Sequence, residues 1–185
     1  MSRPAIFLDR DGTLIDDPGY ISDPGQVRLL DGVAESLGEL HRAGYLLVVI
    51  TNQSGIGRGL YHESDFRLVQ QEVERQLGAL GVTLDLVLHC PHTADAGCPC
   101  RKPGTALYRE AIARLDIDPA ASWFVGDRPG DVLAAWELGG HPLMVRTGAG
   151  SRLVDEAARL QLPQVATFAD ATRHLLAQGA AGTPA

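Results

Sequence analysis

Lysine and asparagine are nearly missing from this chain. Its 185 residues include fifteen arginines but one lysine, Lys102, and one asparagine, Asn52. Heavy use of Ala, Arg, Gly and Leu fits a coding bias that drives Lys and Asn out, so the two survivors merit inspection. Cysteine is absent outside an eleven-residue window holding Cys90, Cys98 and Cys100. That argues against a disulfide-stapled scaffold, which such a clustered set could not brace. No apolar run reaches the length needed to span a bilayer. Met1-Ser2-Arg3-Pro4 leads into a strand-like run with no signal-peptide pattern, so the expected location is the cytoplasm, with no membrane partner. Basic excess is missing too. The net charge of −7 argues against a nucleic-acid partner. It leaves room for a phosphorylated small molecule in a locally basic pocket.

What is present is ordinary for a globular domain, with 45% hydrophobic and 21% charged residues. Short apolar runs alternate with amphipathic stretches. The runs predict strands at Ala5–Leu8, Tyr45–Ile50, Leu84–Leu88, Trp123–Val125, Leu143–Val145 and Val165–Thr167. The spacing predicts helices over Val33–Arg42, Ser64–Leu80, Ala106–Leu115 and Val132–Leu138. Continuous apolar strands separated by helices predict an α/β fold, a doubly wound parallel sheet covered on both faces. A single domain over 1–178 is expected, with 179–185 (GAAGTPA) as a frayed tail.

In such a sheet, ligands bind beyond the carboxyl ends of the strands. Asp9 and Asp11 follow the first strand at i and i+2, so both carboxylates can face one pocket. A carboxylate that attacks a phosphoryl group needs a metal and cations to offset like-charge repulsion. Asp9 and Asp127 could hold Mg²⁺ through oxygen ligands. Lys102 could neutralise the attacked phosphate, and Thr51 with the backbone N–H groups after it could hold phosphate oxygens. Taken singly, these residues equally suit a solvated turn, a surface lysine and a helix cap. Their order along the chain is what favours a site.

Cys90-Pro91-His92 and Cys98-Pro99-Cys100 form two i, i+2 pairs. Three thiols and one imidazole on one loop suit a closed, structural Zn²⁺ site. On spacing alone His89 could replace His92. The loop runs directly into Arg101-Lys102, so its expected task is to fix those two cations.

FLDRDGTL at 7–14, Thr51 in ITNQSG, Lys102 and GDRPGD at 126–131 resemble, in this order, the four motifs of the haloacid dehalogenase (HAD) superfamily of phosphatases. The resemblance implies a HAD-like Rossmannoid sheet. It implies that Asp9 is the nucleophile and that Asp11 is the general acid and base. Thr51 and Lys102 then steady the phosphoryl group. Mg²⁺ falls to Asp9, Asp127 and the backbone carbonyl of Asp11, while Asp131 is left as a supporting or plain helix residue. CPHTADAGCPCRKP is similar to the zinc loop of a subgroup acting on heptose bisphosphates or histidinol phosphate, and it selects Cys90, His92, Cys98 and Cys100 as the Zn²⁺ ligands. Substrate contacts carry over to Asp17, Pro18, Gly19, Tyr20, Thr51, Asn52, Gln53, Ser54, Arg101, Lys102 and Arg128. Arg101 is implied for the phosphate that is not cleaved, since a planar fork suits phosphate.

Ser54 and the DDPGY loop are closer to the heptose enzymes. The implied activity is release of the C7 phosphate of a heptose 1,7-bisphosphate, for nucleotide-activated heptose and lipopolysaccharide synthesis. A histidinol-phosphate phosphatase, a broad sugar-phosphate phosphatase and an inactive zinc-stabilised binding protein are the alternatives. The motif spacing leaves no room for a large cap domain, so loops must shape specificity. The short linker Thr93–Gly97 borders the substrate and bears on the anomer. A monomer is expected.

Overall fold

The computed structural model describes residues 2–181, with side chains described to residue 178. Six parallel strands form one sheet: β1 (Ala5–Leu8), β2 (Leu46–Asn52), β3 (Leu86–Cys90), β4 (Trp123–Gly126), β5 (His141–Val145) and β6 (Gln164–Val165). Their spatial order is β3-β2-β1-β4-β5-β6. The chain therefore winds outward from β1 on one side, returns to β4 and winds outward on the other. The switch point lies between β1 and β4, where open α/β sheets bind ligands. In register, Leu8 pairs with Val49 on one flank and Val125 on the other. Asp9 N–H extends the ladder to Val125 C=O at 3.0 Å, which fixes where the Asp9 side chain leaves the sheet.

Alternation along β1 sends Ile6 and Leu8 to one face, Ala5 and Phe7 to the other. The first face is covered by α1 (Val33–Arg42), α3 (Glu63–Ala79) and α8 (Phe168–Ala181). Val33, Leu37 and Leu40 of α1 and Val69, Val73 and Leu77 of α3 recur at helical spacing and are fully buried. The second face packs α4 (Ala106–Leu115), α5 (Pro129–Val132), α6 (Ala134–Leu138) and α7 (Val154–Arg159) around Phe7, Tyr108 and Phe124. Each sheet face thus has its own apolar layer, and residues beyond the strand tips are free for chemistry. Among the described residues no helix is long and apolar enough to cross a membrane.

Several boundaries differ from the sequence reading. β2 and β3 run two residues further, because parallel pairing continues through Thr51 with His89 and Asn52 with Cys90. The helix expected over 132–138 starts at Pro129, which is pre-set for a first turn. It is then interrupted at Leu133, which keeps right-handed dihedrals (φ −62°, ψ −29°). His62 is an unusual N-cap, yet α3 starts cleanly because Asp65 accepts from His62 N–H at 2.7 Å. At the start of the expected tail over 179–185, α8 runs on to Ala181, where alanine favours helix. Residues 182–185 of that tail lie outside the described residues.

Candidate active site

β1, β2 and β4 deliver their C-terminal ends to one cleft of about 370 Å³. Asp9, Asp11, Thr51, Gln53 and Asp131 form its floor and inner wall. Asp17, Gly19, Tyr20, Ile21, Asn52, Ser54, Arg58, Tyr61, Arg101 and Arg128 line the rest. Of the residues expected to meet substrate, Pro18 and Lys102 do not line it. Pro18 sits between two lining neighbours, and Lys102 is buried behind Asp9 at 5% exposure.

Lys102 Nζ donates to Asp9 Oδ1 at 2.5 Å and to Ile50 C=O at 2.6 Å, and lies 2.8 Å from Asp131 Oδ1. Those three partners match its three N–H bonds, so its charge reaches the cleft through Asp9. Burial opposes this charge, and the Asp131 and Asp9 carboxylates override it, holding the ammonium above the ordinary lysine value. The only asparagine explains how the lysine arrives there. Asn52 accepts from Lys102 N–H at 3.1 Å and donates to its C=O at 3.3 Å, so it clamps the segment's backbone.

Asp131 is more central than its motif position implied. Its Oδ2 accepts from Arg128 N–H at 2.9 Å while Oδ1 faces Lys102. Asp9, Asp127 and Asp131 bring carboxylate oxygens within 4.8 Å of one another. Against one ammonium, three ionised carboxylates leave two formal negative charges. Asp127 is fully buried; Ala149 N–H donates to its Oδ2 at 2.7 Å, while Oδ1 has no hydrogen-bond partner. Its nearest cation is Arg128 Nε at 4.0 Å. Gly12 and Gly148 close over this carboxylate, and a Cβ on either would lie 2.4 Å from Oδ2. An orphaned buried oxygen, excess negative charge and hard oxygen donors fit a divalent cation such as Mg²⁺. The side chain of Asp11 stands apart from this trio.

Burial, reinforced by Asp131, pushes the Asp127 carboxyl up to about 7. Burial and Asp131 raise Asp9 as well. Native carboxyls that bind protons more tightly than unfolded ones stabilise at low pH, and that stability is lost as pH rises through their native values. Metal-free protein is therefore expected to lose thermal stability between about pH 4 and 7. Mg²⁺ is expected to restore more at pH 8 than at pH 5, at about 2–4 °C in Tm per kcal/mol. Thermal unfolding with and without Mg²⁺ at both pH values checks this; equal Mg²⁺ shifts would count against a cation at Asp9 and Asp127.

The second cluster lies on the loop after β3. Cys100 Sγ is 3.0 Å from Cys90 Sγ and 3.3 Å from Cys98 Sγ. Cys90 and Cys98 are 3.5 Å apart, and His92 Nδ1 lies 3.2 Å from Cys100 and 3.6 Å from Cys90. All three cysteines are free thiols. Tetrahedral zinc with these ligands has edges of about 3.5–3.8 Å, so the four donors surround a space of the right order. Burial pushes the Cys90 thiol up to about 12, a cost that a cation taking the thiolate offsets. His89 lies outside this group of donors; its Nε2 meets Glu63 at 3.0 Å and its ring stacks on Phe66. Arg101 Nη1 donates to His92 C=O at 3.3 Å, tying that guanidinium to the loop.

Three participants escaped the sequence reading. Arg58 follows the TNQSG segment and lines the cleft, as Arg101 does. Tyr61 donates to Gln53 Oε1 at 2.7 Å. Arg10 is fully buried and grips Asp11. Arg10 stands inside the FLDRDGTL motif and Arg58 three residues past ITNQSG, and their charge was the available signal.

A buried carboxylate after the central strand, a lysine bound to it and an acidic pair after β4 define the class of HAD-like hydrolases. The HAD-hydrolase-like family model matches residues 99–171. D-glycero-beta-D-manno-heptose-1,7-bisphosphate 7-phosphatase of Haemophilus ducreyi is 42% identical over 156 residues, 80% of this chain and 86% of that protein. The Vibrio cholerae protein of the same name is 42% identical over 156 residues, 80% and 84% of the two chains. The crystal structure of D,D-heptose 1,7-bisphosphate phosphatase from B. bronchiseptica, complexed with magnesium and phosphate, superposes with a TM-score of 0.86 at 32% identity. It covers 95% of this chain and 99% of that one. The chain belongs to the D-glycero-beta-D-manno-heptose-1,7-bisphosphate 7-phosphatase family.

Proposed function

We propose that this protein is a Mg²⁺-dependent phosphatase releasing the C7 phosphate of D-glycero-D-manno-heptose 1,7-bisphosphate, leaving heptose 1-phosphate for nucleotide-activated heptose synthesis. One observation carries the substrate class. The cleft has a single carboxylate–lysine centre at its floor and three guanidiniums, Arg58, Arg101 and Arg128, around it. That arrangement suits a substrate with one phosphate to cleave and another to hold.

In this reading Asp9, its Oδ1 held by Lys102, attacks phosphorus with its other oxygen. Asp11 gives its proton to the departing sugar oxygen, leaving an aspartyl-phosphate on Asp9 and a free alcohol. Asp11 then takes a proton from water, which attacks the same phosphorus. Inorganic phosphate leaves and Asp9 is regenerated. Thr51 and the N–H groups after it steady the phosphoryl oxygens. Asp9, Asp127 and the Asp11 backbone carbonyl would hold Mg²⁺, which when bound draws charge off those oxygens. Cys90, His92, Cys98 and Cys100 would hold Zn²⁺, which would act there as a structural brace. Asp17, Gly19, Tyr20 and Ser54 border the sugar, while Asn52 and Gln53 support their neighbours. We place the protein in the cytoplasm as a monomer without nucleic-acid or membrane partners, on its acidic charge and sequence pattern.

The test is Mg²⁺-dependent phosphate release from both anomers of the heptose bisphosphate, with histidinol phosphate and fructose 1,6-bisphosphate alongside. A clear preference for one heptose anomer is expected. Preference for histidinol phosphate, or equal slow release from all, overturns the substrate. No release from any supports a binding protein instead. Arg101→Ala is expected to raise KM for the bisphosphate by about 10–100-fold, the worth of a charged phosphate contact. KM for a sugar monophosphate should change little, and a parallel rise in both would remove Arg101 from the second phosphate.

A further inference from the structure

We propose that Arg10 is a positioning residue for proton transfer: its buried guanidinium fixes the rotamer in which the Asp11 carboxylate faces the cleft. This rests on the reading of Asp11 as the acid and base. Arg10 lies between two residues that face the cleft, where alternation sends the middle side chain away. It is also fully buried, a rare place for arginine unless it is paired.

Its guanidinium returns to the neighbouring carboxylate as a fork. Arg10 Nε donates to Asp11 Oδ1 at 3.0 Å and Nη2 to Oδ2 at 3.0 Å, with Nη2 2.9 Å from Oδ1 as well. Gln53 Nε2 donates to Oδ2 at 2.7 Å and reaches Thr51 Oγ1 at 2.8 Å. Tyr61 O–H fixes which way that amide points by donating to its Oε1. Both Asp11 oxygens are therefore engaged, and rotating the carboxylate breaks contacts on each.

The fork is itself held from behind. The guanidinium carbon lies 5.3 Å from the Phe66 ring centroid, and Phe66 stacks on His89 at 4.1 Å. A space-filling role needs only an aliphatic side chain. Here Nε and Nη2 are aimed at a single carboxylate, one that shares the cleft with the like charge of Asp9. Proton transfer requires hydrogen-bond reach in the reacting complex, and small misplacements are costly there.

The test compares Arg10→Lys, which keeps charge but loses the fork, with the wild type. Circular dichroism and zinc content confirm folding. With the bisphosphate, kcat is expected to fall about 30–100-fold and KM to stay within about threefold, as for a displaced catalytic group. With p-nitrophenyl phosphate, whose leaving group needs no proton, a stoichiometric burst of p-nitrophenol should survive ahead of slow turnover. A folded variant with kcat within twofold of wild type overturns the proposal. So does loss of the burst together with a large rise in KM, which marks a collapsed cleft. If Arg10→Lys does not fold, Tyr61→Phe frees the Gln53 amide and is expected to lower kcat about 3–10-fold at constant KM; unchanged kcat there overturns the proposal. Wild-type turnover of p-nitrophenyl phosphate without turnover of heptose bisphosphates would overturn the substrate and leave this test in force.

Discussion

Asp9→Asn is expected to reduce kcat by about 10⁴-fold or more, on the scale of nucleophile removal in other covalent enzymes. The fold should persist. The amide has nearly the volume of the carboxylate, and Lys102 keeps Asp131 at 2.8 Å and Ile50 C=O at 2.6 Å as partners. The variant should also gain stability in the absence of metal. Asp9 shares one ammonium with Asp131 and lies close to Asp127 as well, and burial together with Asp131 raises its proton affinity. Removing its charge relieves that repulsion, so metal-free Asp9→Asn is expected to melt at or above wild type near pH 8. Mg²⁺ should then stabilise it less, since one of the proposed ligands has lost its charge. Initial rates, trapped phosphoenzyme by intact mass spectrometry, and melting with and without Mg²⁺ test these points together. More than a tenth of wild-type kcat, or covalent phosphate still present on the variant, would remove Asp9 from the role of nucleophile.

Much of this architecture was legible because local signals and tertiary demands coincide. Val33–Arg42 and Ala106–Leu115 match the residue reading at both ends, since each has its apolar stripe and a clear stop. β2 and β3 were misplaced at their ends because Thr51, Asn52 and His89 are polar. What keeps them in the sheet is the neighbouring strand, which one strand's sequence does not display. The same limit applies at the site. Asp9, Asp11, Thr51, Lys102 and Asp127 could be picked out by order and spacing. The use of Asn52 as a backbone clamp depends on fifty residues of intervening chain folding back. Arg10 was hidden for a different reason. A charged residue between two acids reads as part of a solvated turn, and only the packing of Phe66 against it shows that it is interior.

Cys98→Ser is expected to release zinc and lower kcat by about 100-fold or more, the scale set by ångström-level misplacement of catalytic groups. Serine offers a poor ligand to zinc, and a structural site with three ligands left is open to water and exchange. Zinc at such sites contributes on the order of 10 kcal/mol, comparable with the whole stability of a domain. The damage should nevertheless be local. The loop closes over β3 chiefly through Cys90, through Gly57 N–H to Pro91 C=O at 2.9 Å, and through Arg101 to His92 C=O. The apolar layer under α1, α3 and α8 includes no residue of this loop, and Cys98 and Cys100 touch only the edge of the second layer as partly buried side chains. One residue, Arg101, separates Cys100 from the lysine that holds Asp9, so freedom in the loop passes directly to Lys102. Without that lysine, Asp9 and Asp131 lose their shared counter-ion, and the carboxylate floor repels the phosphate it should attack. Metal analysis, circular dichroism and kcat measured on one preparation separate the steps. Near-native secondary structure with zinc and activity both lost is the expected result. Full zinc content with unchanged kcat would show that Cys98 is not a ligand, and zinc loss with unchanged kcat would show that the loop does not position Lys102.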